Sequence, residues 1–542
     1  MKTAILLLVL AAWLLGSCSS PLEDADKQDL SALEVPVEQL PPIPAGRRAS
    51  EQIDSELTGS QYFSKTTNAN VGGNELELFS TAQSPSWGIW KLNGGTDALK
   101  EVQLLLDISA GNHAYVAVAD YSTGRWSFSG PHESGVTIPL EDASHRSVNG
   151  DTYIAVLAAG GSQLNVVRLI MSVDRTGWQV VTVDARSGTG RESSILEVDG
   201  KPAIAYRRAK GGPDYDLLFA YSDTELGIDP DDWEYTVVHD GAAAGASIST
   251  AIIAGHPAIA YHESSAGELI YVRSTDALGR TESNWQDRVV VDTDGEVGRE
   301  ASMAVINGNP AIAYYDFSND SLKYARSSTE LGDQSGDWTT VRTVDSTSPT
   351  GRYPVLATVN GNPAIAYQDT EGNSINYKRS LGPNGSGPAD WNSTAMVDAS
   401  LNPIGAVGLL VADGNPAVFH TDFMTRSLHY IRSSTQDGTD SEEWSDDVFL
   451  EGDFNVNIHL SATLVNGNPA VAYTDFDNSR LMYRRSADSA GTGNGQAGWP
   501  RDTVYEASGN IQELDLAVVA GRPVISFTDA GDTYLKYAVL LD

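Results

Sequence analysis

Trp338-Thr-Thr-Val-Arg-Thr-Val-Asp345, Val355-Leu-Ala-Thr-Val359-Asn360-Gly361-Asn362-Pro363-Ala-Ile-Ala-Tyr367 and Ser374-Ile-Asn-Tyr-Lys-Arg379 form one copy of a unit that recurs seven times at a period of about fifty-three residues. Each copy opens on a tryptophan: Trp178, Trp233, Trp285, Trp338, Trp391, Trp444 or Trp499. About 24 residues later each reaches a Gly-x-Pro, with the prolines at Pro202, Pro257, Pro310, Pro363, Pro416, Pro469 and Pro523. The first segment alternates and is rich in β-branched residues, so it reads as a strand. Val355–Val359 reads as a second strand, Asn360-Gly361 as a hairpin turn with Gly361 at positive φ, and Pro363–Tyr367 as a third. Proline opens that strand, where a ladder donor is least missed. Ser374–Arg379 is a fourth, and no extended helical period appears.

A unit this size cannot bury its own apolar face and must stack on the next copy. Four short antiparallel strands per unit and seven units predict an all-β protein with a seven-bladed β-propeller of four-stranded blades over residues 176–542. In the third strand, Ala311 and Ala313 alternate with Ile312 and Tyr314. That is the pattern of a flat face meeting a bulky one. The repeats start on the Trp strand, yet the chain ends on Tyr534–Leu540, a strand that comes just before a Trp strand in the unit. Strand Trp178–Val183 is therefore expected to complete the last blade and remove an open edge.

The chain has 542 residues, a net charge of −37 and a pI near 4.4. It is long enough for two cores. Its charge disfavours nucleic acid as a partner and suits a soluble monomer. Lys2, an apolar run from Ala4 to Leu15, and Leu15-Gly-Ser-Cys18 describe a secretory signal over residues 1–17, too short to span a bilayer. The segment resembles a bacterial lipoprotein signal. That resemblance implies acylation of Cys18, the sole cysteine, and a membrane partner through the lipid. With Ser19 following, it also implies the cell envelope, at the outer membrane of a bacterium. An ordinary signal peptide is the alternative. No internal disulfide is open to the mature chain.

Residues 18–70 are acidic and proline-bearing and read as a flexible linker. Residues 71–175 carry strand candidates at Leu76–Phe79, Val102–Ile108, Tyr115–Ala119, Trp126–Phe128, Tyr153–Leu157 and Val166–Ser172, which suit a small β-sandwich. Trp87, Trp90 and Trp126 are expected to pack rather than to platform a sugar. Trp126 lies 52 residues before Trp178, so an eroded eighth blade is the competing reading.

The repeat region resembles bacterial BNR/Asp-box-like propellers, the group that includes sialidase-type propellers. The Ser-x-Asp-x-Gly-x-x-Trp box has counterparts in Ser274-Thr-Asp276-Ala-Leu-Gly279 before Trp285 and Ser486-Ala-Asp488-Ser-Ala-Gly491 before Trp499. Other copies keep Ser and Trp but lose Asp, as in Ser327-Ser-Thr329. The resemblance implies fold more than activity.

Residues present in every copy read as structural. The Trp strand ends on Asp184, Asp240, Asp292, Asp345, Asp398, Glu451 or Glu506, and the fourth strand carries Arg273, Arg326, Arg379, Arg432 and Arg485. Repeated ion pairs or loop hydrogen bonds are expected of them. Function is sought where copies differ. Eleven residues before each proline stand Arg191, Ala246, Arg299, Arg352, Gly405, Ile458 and Gln512. Arg191, Arg299 and Arg352, beside Glu192, Glu300 and Tyr353, form a candidate site for a carboxylated or sulfated ligand at the channel mouth. Pairing of each arginine with its own neighbours is the competing reading. No hydrolase, metalloprotease or nucleotide fingerprint is present, and no catalytic residue, metal site or cofactor is expected. The expectation is a lipid-anchored, non-enzymatic propeller that binds a glycan or protein ligand. The alternative is a propeller-type glycoside hydrolase or lyase acting on acidic glycans.

Overall fold

The computed structural model describes residue 40 and residues 56–541, apart from 94–97, 149, 175, 212–213, 243–244, 348, 388, 392, 400–402, 423–424 and 453–455. The signal-like segment, Cys18 and most of the proline-bearing stretch lie outside the described residues. Two compact units divide between Thr176 and Gly177. No described helix is long and apolar enough to cross a membrane.

The first unit holds a six-stranded and a five-stranded antiparallel sheet. Both contribute to one core, with Leu76, Leu78, Val102 and Leu169 from one sheet and Trp90, Leu92, Val116 and Ile154 from the other. Trp87, Trp90 and Trp126 are all buried, as packing residues should be. Short strands Glu56–Thr58, Ser64–Lys65 and Ala69–Gly72 already belong to this unit, ahead of the expected start at residue 71. Leu40, within the expected linker, is buried in a cluster with Trp87 and Trp126. The strand carrying Tyr153, Asp151–Ala158, pairs with Ser86–Asn93 and Ala114–Asp120, so it belongs to this unit's five-stranded sheet.

The second unit is a β-propeller of successive four-stranded antiparallel sheets, seven among the described residues. Their first strands are Arg191–Val198, Ala246–Ile253, Val297–Ile306, Thr350–Val359, Pro403–Ala412, Val456–Val465 and Ile511–Val519. These strands pack side by side in order, and the last packs on the first. Gly177–Asp184 pairs antiparallel with Leu535–Leu541, Trp178 opposite Leu540, so the closing sheet takes strands from both ends of the unit. A second tie lies at the inner edge. The Asp515 carboxylate accepts from Ile195 N at 3.0 Å and Ser194 Oγ at 3.1 Å, and from Ser461 Oγ at 2.8 Å, joining the seventh sheet to the first and the sixth.

The alternation of small and large residues has the expected consequence. Ile312 and Tyr314 pack on Ala258 and Ala260 of the preceding sheet, while Ala311 and Ala313 receive Ile365 and Tyr367 of the next. In four copies the acidic residue that ends the Trp strand crosses the same junction. Its carboxylate accepts from the next sheet's tyrosine: Tyr206 to Asp184 at 2.8 Å, Tyr314 to Asp292 at 2.5 Å, Tyr367 to Asp345 at 2.5 Å, Tyr473 to Glu451 at 3.2 Å. The fourth-strand arginines do not meet these carboxylates. Arg273, Arg326, Arg379 and Arg432 cap the carbonyls of their own sheet's first hairpin, as in Arg379 Nε to Val359 O at 2.9 Å.

Apart from Trp178, which lies in the closing strand, the tryptophans sit at turns at the opposite end from the candidate site. Trp285 Nε1 donates to Gly279 O at 2.8 Å, Trp338 to Gly332 O at 2.8 Å and Trp444 to Gly438 O at 2.9 Å. Each ring also packs on a tyrosine or phenylalanine of the preceding sheet, as Trp338 does on Tyr271 at 5.1 Å. Gly279 has φ +65°, and a Cβ there would approach the Trp285 ring to 2.6 Å, so only glycine fits. Asp276 fixes this turn by accepting from the Leu278 and Gly279 N–H groups. Where the aspartate is absent, Thr224, Thr329 and Thr435 hydroxyls accept from the same glycine N–H. The copies without Asp therefore keep the turn. In the fourth copy the strand proper starts at Thr340, because Trp338 caps a short 3-10 turn, Ser335–Asp337.

Candidate functional site

Every first strand slips register just inside its entry. The slips fall at Arg191/Ser194, Ala246/Ser249, Arg299/Ser302, Arg352/Val355, Pro403/Val407, Val456/Leu460 and Gln512/Leu514. A bulge re-aims side chains that a regular pleat would send alternately inward and outward. Five bulges hold a non-glycine residue in the left-handed region: Glu192 at φ +53°, Ser247 at +54°, Glu300 at +53°, Tyr353 at +49° and Glu513 at +51°. Such a conformation costs roughly 1–2 kcal/mol per residue, and strain of this kind concentrates at functional sites.

The strain is partly offset by hydrogen bonds that run from sheet to sheet. Glu192 Oε2 accepts from Ser247 N at 2.7 Å, and Glu300 Oε2 accepts from Tyr353 N at 2.6 Å. One layer deeper, Ser194, Ser249, Ser302 and Ser461 hydroxyls accept from Thr250, Met303, Leu356 and Leu516 N–H groups. All seven first strands thereby line one cavity of about 670 Å³, whose polar wall includes Glu192, Glu300, Tyr353, His459, Glu513 and Asp515.

The cavity is chemically polarised. On the side of the sixth, seventh and first sheets, burial and then the Glu513 carboxyl push the Glu192 carboxyl up to about 7, against the Ser247 N–H and the Arg207 charge. Burial likewise raises Glu513, opposed by Arg191. His459 Nδ1 stands 3.9 Å from Glu513, and burial pushes its imidazole down to about 4, so it is neutral near pH 7. Burial raises Asp515 as well, opposed by the four hydrogen bonds that hold it. Two interacting carboxyls cannot both ionise freely, so the pair loses its protons in coupled steps, with Glu192 held up to about 7.

The other side carries Arg299 and Arg352. Arg352 pairs with Glu300, Nη2 to Oε1 at 2.6 Å and Nε to Oε2 at 3.1 Å, and lies over the Tyr315 ring at 5.0 Å. Arg299 pairs with Glu296 and stacks over Phe317 at 3.9 Å. Of the six residues singled out from sequence, Glu192, Glu300, Tyr353 and Arg299 line the cavity. Arg352 stands behind Glu300. Arg191 is exposed on the first sheet, opposite Arg207 in the strand pairing and acting electrostatically on Glu513. The three arginines thus do not converge on one point.

Sequence reasoning passed over Glu513 and His459, which fill the same repeat column as Glu192, Glu300 and Tyr353, one residue after the arginine column. Aligning that column would have exposed them. Asp515 was also missed. It stands where other copies have Ser194, Ser249, Ser302 and Ser461, two residues further on. Among the described residues no group of three or more acidic, histidine or cysteine side chains is placed to hold a metal ion.

No known protein family matches the chain, and no curated protein sequence resembles it. Among solved structures, a GH43_1 enzyme from Xanthomonas citri is 12% identical over 44% of this chain and 86% of its own, with a TM-score of 0.27. An alpha-L-arabinofuranosidase from Lactobacillus brevis is 11% identical over 48% and 90%, with a TM-score of 0.29. A subtype N10 neuraminidase-like protein of A/little yellow-shouldered bat/Guatemala is 7% identical over 54% and 94%, with a TM-score of 0.34. At these identities the likeness concerns fold alone. The expectation of a non-enzymatic binding protein is nonetheless corrected. The cavity presents an interacting carboxyl pair that a simple binding surface does not need.

Proposed function

We propose that the chain is a seven-bladed, sialidase-type Asp-box-like β-propeller enzyme, preceded by a β-sandwich, that cleaves acidic glycans at the mouth of its central cavity. The observation that carries this reading is the Glu192–Glu513 pair, two half-buried carboxyls that line one cavity from adjacent blades, with the Glu192 carboxyl pushed up to about 7. Glycosidic cleavage needs one carboxyl group to protonate the leaving oxygen and a second, ionised, to activate water or attack the anomeric carbon. Glu192 serves as the acid. Glu513, whose charge Arg191 favours, serves as the carboxylate. Arg299 on the opposite wall faces the carboxylate of the sugar, and Glu300 holds Arg352 and the Tyr353 backbone in place.

The test is incubation of the purified protein with acidic oligosaccharides, scored for new reducing ends. A saturated product indicates hydrolysis, and an unsaturated uronate indicates a lyase. Turnover abolished by Glu192→Gln supports the reading, and the absence of turnover on every acidic glycan tried overturns it.

We further propose that Cys18 is acylated and holds the protein as a monomer at the outer membrane, through the linker that follows. The support is the Leu15-Gly-Ser-Cys18 sequence and the sole cysteine falling at that point. Two or three acyl chains anchor far better than one. Cys18→Ala is expected to move the protein from the membrane fraction to the soluble fraction without changing its melting temperature. Unchanged membrane retention with no acyl mass on Cys18 would refute the anchor.

A further inference from the structure

The third strand of the repeat unit is followed by Glu263, Asp316, Asp369, Asp475 and Asp529 in the second, third, fourth, sixth and seventh sheets, and the residue after that carboxylate breaks the repeat at the mouth of the cavity. Ser264, Thr370 and Ala530 fill this position in the second, fourth and seventh sheets, while Phe317 and Phe476 fill it in the third and sixth. Phe423 has the same position in the sequence and lies outside the described residues. Phe317 is 44% and Phe476 40% exposed. Phe317 stands in the turn from Asn309–Asp316 to Ser321–Arg326 and Phe476 in the turn from Asn468–Asp475 to Arg480–Arg485, at the end where the first strands of the sheets enter. Single exposed apolar side chains are ordinary on a protein surface. These two are not scattered: they share one register position, and the third and sixth sheets lie on opposite sides of a ring of seven.

Phe317 also has a polar partner suited to an acidic sugar. The Arg299 guanidinium lies 3.9 Å over its ring and reaches the cavity wall, and Tyr315 meets the ring edge-on at 6.3 Å. Guanidinium beside an open aromatic face offers a charge for a carboxylate and a flat apolar surface for the C–H face of the ring that bears it. The net charge of −37 does not forbid an anionic ligand, because charges beyond about 8 Å are screened at physiological ionic strength.

We infer that Phe317 and Phe476 are stacking platforms on opposite rims, holding an extended acidic polysaccharide across the mouth so that cleavage falls within the chain and not at its end. This rests on the glycan-cleaving reading for the cleavage mode, but not for the binding. A chain lying over both platforms crosses the mouth of the cavity, with Glu192 and Glu513 on the wall of the first and seventh sheets to one side of it. A short oligosaccharide spans one platform at most.

The experiment measures binding of polygalacturonate, hyaluronate and chondroitin sulfate, and of their trisaccharides, to the full chain and to the double variant Phe317→Ala, Phe476→Ala. At least one polymer is expected to bind, with affinity falling about tenfold or more in the double variant, since each aromatic contact contributes on the order of 1 kcal/mol. The matching trisaccharide is expected to change less than threefold. Both positions are in turns, and an unchanged melting temperature confirms that the fold is intact. Equal polymer affinity in both proteins overturns the proposal, as does the failure of all three polymers to bind. Polymer binding lost in the double variant without any turnover in the parent leaves the platforms standing and removes the enzymatic reading. Turnover that releases only terminal units from a bound polymer refutes internal cleavage.

Discussion

Replacing Glu192 with glutamine is expected to abolish turnover of an acidic glycan and to stabilise the fold above pH 7. The activity loss follows from removing the proton donor. General acid catalysis contributes about 10²- to 10⁴-fold, and a glutamine amide cannot substitute for it. The stability gain follows from linkage. An ordinary glutamate titrates near 4.3 in the unfolded chain, whereas burial and Glu513 push Glu192 up to about 7 in the native state. Between about pH 4.3 and 7 the native state therefore binds more protons than the unfolded state, and this group's contribution to stability falls as pH rises through that window. Above pH 7 the penalty of a buried charge is fully present. Glutamine accepts the Ser247 N–H as the carboxylate does, but never ionises. The melting temperature of the variant should match the parent near pH 4 and exceed it at pH 8. Because Glu192 and Glu513 interact, the pH–activity profile reports a value that belongs to the pair. A glutamine variant that retains turnover, or whose melting temperature follows the parent's at every pH, would count against the assigned role.

Deleting residues 178–184 is expected to be the most damaging change to the fold. The deletion removes the strand that pairs with Leu535–Leu541 and leaves that strand's ladder groups bare at an open edge. It takes away the Trp178 ring from Tyr483, which it meets at 5.1 Å, and the Asp184 carboxylate from the Tyr206 phenol. Tyr206 is fully buried, so its hydroxyl would be left with a desolvation cost of about 1–3 kcal/mol on that account alone. Aggregation during expression, or loss of a cooperative thermal transition, is the predicted outcome. Asp184→Ala is the milder probe, expected to cost about 1–3 kcal/mol while the protein remains soluble. If the deletion leaves a soluble protein with an unchanged melting temperature, the inner tie through Asp515 alone must close the ring.

The sequence by itself determined the repeat, its four strands and the pairing of the closing strand. Each rests on local information copied seven times. Alternating β-branched residues, Asn-Gly turns and an opening proline act over a few residues, and repetition averages out the departures of any one copy. The tryptophan–glycine turn was also legible, though Thr329 in place of aspartate hid that the same N–H is capped in both forms. Partners across a junction were not legible. Tyr314 and Asp292 are 22 residues apart and on different sheets, so composition gave no sign that a phenol donates to this carboxylate beside its ion pair with Lys323. The candidate site was the least legible part. Glu192 and Glu513 are separated by more than three hundred residues and meet only because the last sheet packs on the first. Their inward aim depends on a bulge with left-handed φ, which no propensity for glutamate would suggest. Their protonation depends on burial in a cavity that exists only when all seven first strands stand side by side. Tertiary structure decides these properties because burial and electrostatic coupling depend on distance in space and not along the chain.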